Sequence, residues 1–337
     1  MKYVPSVARV FGRCLKNLDI KALRNLRVIT PHPTLSHKKG EQTMAEQRVW
    51  EEIVMPGSHE EPLWELFHEN SKVSRYTQTP SKEEVRSRMR KFHESLPFEG
   101  YPRVDLSHSF APLSLPLEQA ITTRTSARNF SPRELTLEHI ATLFFYAYGV
   151  TRKNTDTPFP RPFRVVPSGG ALYPLELFFH TASLKGHSSG IYHYNPSEHC
   201  LRHLQEGDNT HRISLGLVQP ELAQGTSLII FLTALFERST FKYGERGYRY
   251  ILLEAGHVAQ NLNLVANALG LGCVNIGGYF DREIDEYLDL DGITHSTICT
   301  IAIGGKTDAS ENTSKKDGIP THPHASERSG SNAIEAE

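Results

Sequence analysis

Between residues 248 and 269, apolar side chains fall at Ile251, Ala255, Val258, Leu262, Val265, Ala266 and Leu269, the three-and-four spacing of one helical face. At 1.5 Å per residue this pattern predicts a helix of about 33 Å, long enough to be the spine of a domain. Leu252, Ala259 and Leu264 extend the apolar character, so burial on more than one face is expected. Gly256 costs about 1 kcal/mol against Ala in a helix interior and predicts a second backbone close by. Helical spacing recurs over residues 62–76, where Trp64, Leu66 and Phe67 are expected to dock, and over 81–96, opened by the Ser81/Glu84 capping box. A further helix is expected over 136–149, capped by Thr136 and ended by Gly149.

Strand patterns lie at LELFFH, GIYHYN and CLRHLQ, with Asn195-Pro196 in the last turn. SLIIFLTALF is a nearly continuous apolar run of a strand buried on both faces. A short helix near 213–218, the strand-like CVNIGG, the small helix DREIDEYLDL and the strand STICTIAIGG complete the series. Three consecutive strands between residues 175 and 205 favour an α+β fold over a doubly wound parallel sheet.

With 337 residues the chain can form one large domain or two ordinary ones. Its net charge of -1 provides no general attraction to nucleic acid or acidic membranes, and no apolar run reaches the roughly 18 residues of a membrane span. Cys14, Cys200, Cys273 and Cys299 are scattered without zinc-type spacing, so no metal site and a reducing, cytoplasmic compartment are expected. Residues 1–43, basic and then turn-rich, read as a dispensable start before Met44, with a transit-like segment as the alternative. A helical extension over 44–109, a main domain over 110–306 and a polar, disordered tail over 307–337 follow.

Four stretches carry candidate chemistry. Arg124, Thr125, Ser126 and Arg128 gather two guanidiniums and two hydroxyls, donors suited to phosphate oxygens or to a solvated surface. In Pro167-Ser168-Gly169-Gly170-Ala171, two glycines let backbone approach a flat ligand, although an ordinary turn has the same composition. Lys242 and Tyr243 would point apart in regular structure, so Gly244 and Gly247 are expected to form a loop that brings both into one pocket. Ahead of a helix N-terminus, Lys242 would lean toward its neutral, basic form; the plain alternative is a surface loop. In GLGCVNIGG the order helix, glycines, strand is the reverse of a dinucleotide fingerprint, so a Rossmann site is not expected there. Gly277-Gly278 would instead bring a strand end against a ligand.

Taken in order, RTSARNF, R-x-VPSGGALYPLE, GIYHYNP, KYGERGYRY-x-LLEAGH-x-x-QNL, ALGLG and IGGYF resemble the SagB/ThcOx-type dehydrogenases of the nitroreductase superfamily over about residues 110–306. The resemblance implies an FMN-binding α+β fold, a central, mainly antiparallel sheet flanked by helices, and a homodimer whose flavin sites draw on both subunits. It implies that Arg124 and Ser126 lie near the flavin phosphate, with Thr125 in the same segment, and that Arg128 lies near the ring. Pro167, Ser168, Gly169 and Ala171 would reach the flavin from the partner subunit, and Gly277 and Gly278 would pass close to N5. Lys306 stands near a basic phosphate contact of broader nitroreductases, whose Lys-x-Arg is not intact here. Lys242 and Tyr243 match the catalytic Lys-Tyr pair of azoline dehydrogenases.

The function so implied is dehydrogenation of a peptide-derived thiazoline or oxazoline, or a similar imine. Two alternatives stay open: an NAD(P)H-dependent nitro or quinone reductase, and a flavoprotein scaffold that binds a leader peptide or partner enzymes. A Ser168 hydrolase is disfavoured, because no motif ties a histidine or carboxylate to it.

Overall fold

The computed structural model describes residues 62–307, apart from 107, 156 and 160. The expectations for residues 1–43, for 44–61 and for the tail beyond 307 lie outside the described residues.

Eight strands form one sheet in the order β1 (Arg103–Asp105), β7 (Cys200–Glu206), β6 (Gly190–Asn195), β5 (Leu175–Thr181), β8 (Thr226–Leu235), β10 (His295–Lys306) and β2 (Phe130–Ser131), with β9 (Leu271–Ile276) also on β10. Every pairing in it is antiparallel. A separate small ribbon pairs β3 (Val150–Arg152) with β4 (Phe163–Arg164).

Period-two alternation divides the core. Along β8, Leu228, Ile230, Leu232 and Ala234 face one apolar layer, and Ile229 and Phe231 face the other. The first layer is closed by α4 (Leu137–Tyr148) and α7 (Glu245–Ala268), through Ile140, Phe144, Ile251, Val258 and Leu262. The second is closed by α5 (Thr210–Leu215), a short 3-10 turn (Pro220–Ala223) and α8 (Asp281–Tyr287), through Ile213, Leu222 and Ile284. The sheet is thus covered on both faces, which is why its central strands read as continuous apolar runs. Helix α5 begins three residues before the position expected, because Asp208 accepts the Thr210 amide at 2.9 Å and starts the turn early.

Preceding the sheet are α1 (Leu63–Asn70) and α2 (Lys82–Lys91), and α3 (Leu117–Thr122) lies between β1 and β2. Helix α2 has the expected box: the Glu84 amide donates to Ser81 Oγ at 3.2 Å, and the Ser81 amide donates to Glu84 Oε2 at 2.8 Å. Its Val85 and Met89 pack against Leu172, Phe159, Phe241 and Tyr243. Helix α1 departs from expectation, with Trp64 and Leu66 59% and 54% exposed. Only Phe67 docks, edge-on to Tyr248, because the helix is held through polar contacts at its C-terminal end, where Arg249 donates to Ser71 Oγ at 2.8 Å and to the His68 carbonyl.

Helix α7 spans three residues more at its start than the pattern predicts, and its C-terminal half is covered on more than one face as expected, with Ala259 buried and Leu264 half-buried; its N-terminal half departs from expectation. Leu252 is exposed, and a Cβ on Gly256 would meet nothing within 4 Å in this chain. The helix turns one face to the sheet and leaves Leu252, Leu253 and Gly256 outside.

Candidate functional site

The stretch expected as a loop around Lys242 is a helix. Helix α6 (Glu237–Tyr243) ends at Gly244, whose φ of 54° lies in the left-handed region, and α7 starts at the next residue. Gly247 lets the two helices touch: a Cβ there would sit 2.9 Å from Thr240 Cα. Lys242 therefore occupies the last turn of its own helix, where the carbonyl end favours a cation.

Successive helical residues diverge by about 100°, yet both long side chains reach one point. A Cβ at Gly170 would lie 2.6 Å from Lys242 Nζ and 2.6 Å from Tyr243 Oη. Lys242 Nζ also lies 4.9 Å from the Tyr243 ring centroid and 5.3 Å from that of Phe159. Tyr243 stands edge-on to Tyr250 of α7, with centroids 4.9 Å apart. The Lys-Tyr and Ser-Gly-Gly stretches, some 70 residues apart in sequence, are brought together here.

The turn that carries Gly170 is strained. Gly170, Ala171 and Tyr173 have φ of 67°, 52° and 46°, a region that costs a non-glycine residue roughly 1–2 kcal/mol. Two hydrogen bonds hold it: the Tyr173 amide donates to Ser168 Oγ at 2.9 Å, and the Arg164 amide donates to Tyr173 Oη at 2.9 Å. Pro167, Ser168, Gly170 and Ala171 line a cleft of about 540 Å³, together with Phe159 and Arg152 among others. Gly169 packs under Tyr250, with its Cβ position 3.1 Å from that ring.

Behind the turn lies a buried polar group that chain order alone does not single out. Glu254 is 2% exposed, and burial pushes its carboxyl up to about 7, against hydrogen bonds from Ser168 and Tyr148 and the nearby Arg164 charge, which pull it down. Tyr148 donates to Glu254 Oε1 at 2.7 Å and accepts the Leu175 amide at 3.3 Å. The Arg164 guanidinium stacks 4.3 Å from the Tyr148 centroid and 4.8 Å from that of Tyr173.

A second buried carboxylate anchors α6. Glu176 accepts from Arg238 of α6 at 2.6 Å, from Ser95 at 2.9 Å and from the Leu96 amide at 3.0 Å, and shares a 2.6 Å hydrogen bond with His193. Burial would raise its pKa, but the Arg238 charge and the His193 contact outweigh that and hold it well below the usual carboxylate range.

The other candidates gather elsewhere. Arg124, Thr125 and Lys306 line a small cleft of about 40 Å³ with Asn263, Asn267 and Gly272. Lys306 donates to Asn267 Oδ1 at 3.1 Å, and the Asn267 amide donates to Thr123 Oγ1 at 2.9 Å. The segment is pinned to the sheet where the Ala127 amide donates to the Cys273 carbonyl at 3.0 Å and Ser126 bridges to Cys273. Ser126 and Arg128 are exposed beside this cleft rather than among its lining residues. Gly277 and Gly278 lie exposed just past β9. A Cβ on Gly278 would meet Val218 at 3.2 Å, while the position over Gly277 is open. The two clefts share no lining residue.

Sequence reading passed over Glu254, Asn263 and Asn267. The helical period holds the missing signal: Glu254 falls three residues after Ile251, and Asn263 and Asn267 flank Leu262 and Ala266, polar residues on the apolar face. Among the described residues there is no cluster that could hold a metal ion, and no helix long and apolar enough to cross a membrane.

Comparison with known proteins places this geometry. The nitroreductase family model matches residues 121–305. A protein of Methanocaldococcus jannaschii, provisionally named nitroreductase MJ1384, is 36% identical over 174 residues, which is 52% of this chain and 84% of the relative. The microcin B17-processing protein McbC of Escherichia coli is 31% identical over 151 residues, 43% of this chain but only 55% of McbC. A crystal structure from Anabaena variabilis ATCC 29413, provisionally a nitroreductase, superposes with a TM-score of 0.58 at 23% identity, over 75% of this chain and 49% of that one, and so shares the fold. The antiparallel sheet, its two helical layers and the matched segment lead to one conclusion: the chain belongs to the nitroreductase family.

Proposed function

We propose that this nitroreductase-family oxidoreductase binds FMN and dehydrogenates a peptide-derived thiazoline, oxazoline or similar imine. The observation that carries the reading is the meeting of Lys242 Nζ and Tyr243 Oη at Gly170, a residue that lines the 540 Å³ cleft. The donor set fits a flavin mononucleotide. Arg124, Lys306 and the Thr125 hydroxyl supply charge and donors for a phosphate, and the open backbone at Gly277 leaves room for a flat ring. Bound FMN would supply the two-electron acceptor for a hydride.

The chain's own part is acid-base and positional. Lys242 Nζ is placed to take the proton from the carbon next to the imine, and Tyr243 Oη donates a hydrogen bond at the same point. The cleft holds the substrate ring against the strained turn, and the 2.6 Å Arg238–Glu176 pair holds the helix that presents both groups.

Two copies fit the layout better than one. The phosphate-type cleft and the cleft of the Ser168 turn share no lining residue, and Leu252, Leu253 and Gly256 leave a small, apolar patch on α7 for a second copy. A peptide substrate agrees with the processing role in McbC's name, although the match reaches only 55% of that protein.

The test is a spectrum and a turnover assay on Lys242→Ala. The variant should purify yellow, with FMN released on denaturation, and oxidise no azoline substrate. Undiminished turnover removes Lys242 from the mechanism, and a wild-type protein that takes up no FMN removes the flavin reading altogether.

A further inference from the structure

Part of the wall of the 540 Å³ cleft is the β3–β4 ribbon and the loop joining its strands, which contribute Arg152, Asn154, Thr157, Phe159, Phe163 and Arg164. The loop is tied to itself: Asn154 Oδ1 accepts the Thr157 amide at 3.1 Å, and Asn154 Nδ2 donates to the Phe159 carbonyl at 3.0 Å. Arg152 and Phe163 are cross-strand partners in the ribbon, and the Arg152 guanidinium carbon lies 4.4 Å from the Phe163 ring centroid. Stacking of this kind uses the face of a guanidinium and leaves its in-plane N–H donors uncommitted. Among the described residues, no hydrogen bond or ion pair takes up those donors, and the side chain is exposed.

We propose that Arg152 makes this cleft selective for substrates that carry a carboxylate on, or directly beside, the ring held there. The proposal rests on the reading that the cleft takes the substrate ring, and it adds the charge of that substrate. The charged side chains among the described lining residues are Arg152 and Arg164, both positive, and Lys242 Nζ stands at Gly170. Arg164 is buried, and its Nη2 donates to a neutral acceptor, the Glu94 carbonyl, at 2.7 Å. Glu254 lies behind the turn and is not part of the lining. A cleft lined by one sign of charge concentrates ligands of the other.

The chemistry of the anion follows from the donor. A guanidinium presents a flat fork that matches the two oxygens of a carboxylate, and the Phe163 stack holds that fork in place before any ligand arrives. The cleft is in the size range of pockets that enclose drug-sized ligands, roughly 300–1,000 Å³, so a five-membered ring leaves space for flanking groups of a peptide. The carboxylate can therefore belong to the ring itself or to an acidic residue next to it. Arg152 acts in binding alone, and no covalent bond changes through it.

The test is a binding ratio, measured by calorimetry on the protein as purified, with three probes: a methylthiazole carboxylate, its carboxamide, and the amide of the same acid with aspartate. Wild type should bind at least one of the two anionic probes about tenfold more tightly than the neutral carboxamide. Preference for the ring acid puts the carboxylate on the ring; preference for the aspartate conjugate alone puts it on a neighbouring residue. Arg152→Gln should erase the preference, and Arg152→Lys should restore only part of it, because the charge returns without the fork. Lys153→Gln removes an exposed charge one residue away, outside the cleft lining, and should keep the wild-type ratio. Loss of the preference there as well reduces the effect to general surface charge and overturns the proposal. A wild-type protein that binds neither acid better than the carboxamide overturns it too, as does an Arg152→Gln protein that keeps the preference, in which Arg152 merely covers Phe163. Turnover of the corresponding azolines is scored separately. An Arg152-dependent preference without azoline oxidation keeps the carboxylate site and sinks the dehydrogenase reading, whereas oxidation without any acid preference does the reverse.

Discussion

Glu176 and Glu254 are 1% and 2% exposed, the first bonded to Arg238 of α6 and the second to Tyr148 of α4, and burial drives the two carboxyls the same way, yet their pKa values shift in opposite directions. Glu176 faces the Arg238 guanidinium at 2.6 Å, His193 at 2.6 Å and two further donors, so its charge is matched and its pKa falls. Glu254 has the neutral Tyr148 hydroxyl as its donor at 2.7 Å, while the Arg164 cation is stacked on aromatic rings, so desolvation prevails and its pKa rises to about 7. The difference separates a clamp from a switch: a charge-paired buried carboxylate fixes an element over the working pH range, whereas one held by neutral donors changes state within that range.

Breaking the clamp should have the largest effect. Glu176→Gln leaves Arg238 buried without its anion, and a loss of about 3–5 kcal/mol in urea-unfolding stability is expected. The wild-type pair should also set the acid limit. Because its folded pKa is depressed, its stabilisation is present above the ordinary value of 4.5 and is lost as pH falls through the folded value. A Glu176→Gln protein as stable as wild type would dissolve the contrast.

Glu254 should behave in the opposite sense. Its folded pKa of about 7 exceeds the ordinary 4.5, so the folded protein keeps a proton that the unfolded chain releases between those values. The associated stability is full below 4.5 and is lost as pH rises through 7, roughly 3 kcal/mol in all. Unfolding curves from pH 4.5 to 8 should therefore diverge between wild type and Glu254→Gln, and parallel curves would show a carboxyl ionised throughout. Gly170→Ala should cost about 1–2 kcal/mol from its φ of 67° and push Lys242 and Tyr243 off their common point, lowering kcat more than it alters thermal stability. Tyr148→Phe is the finest probe: it removes one donor, should cost about 1 kcal/mol and should raise the Glu254 midpoint further.

Much of the fold was legible in the chain, because its elements announce themselves locally. The strands at 175–181, 190–195 and 226–235 and the long helix α7 follow their hydrophobic periods to within a few residues. The short strands β1 to β4 did not, since two or three residues carry no period and pair only when the sheet edge is already present. Helix α1 misled for a related reason: Trp64 and Leu66 read as a docking face, but position in the fold, not side-chain character, decides what lies opposite.

For the candidate site, residue chemistry was enough to nominate Arg124, Thr125, Ser168, Lys242 and Tyr243, each beside a plain structural alternative, because guanidinium, hydroxyl, amine and phenol chemistry belongs to the residue itself; Lys306 entered only through the family resemblance. What the tertiary structure decided is proximity and environment. It set Lys242 and Tyr243 against Gly170 from the end of a helix instead of a loop, and brought Lys306 to the cleft of Arg124 and Thr125. It also buried Glu254 against Tyr148. None of these contacts has a counterpart in local sequence, because each depends on segments far apart along the chain packing against a shared sheet, and the same burial turns an ordinary glutamate into a group that titrates near neutral pH.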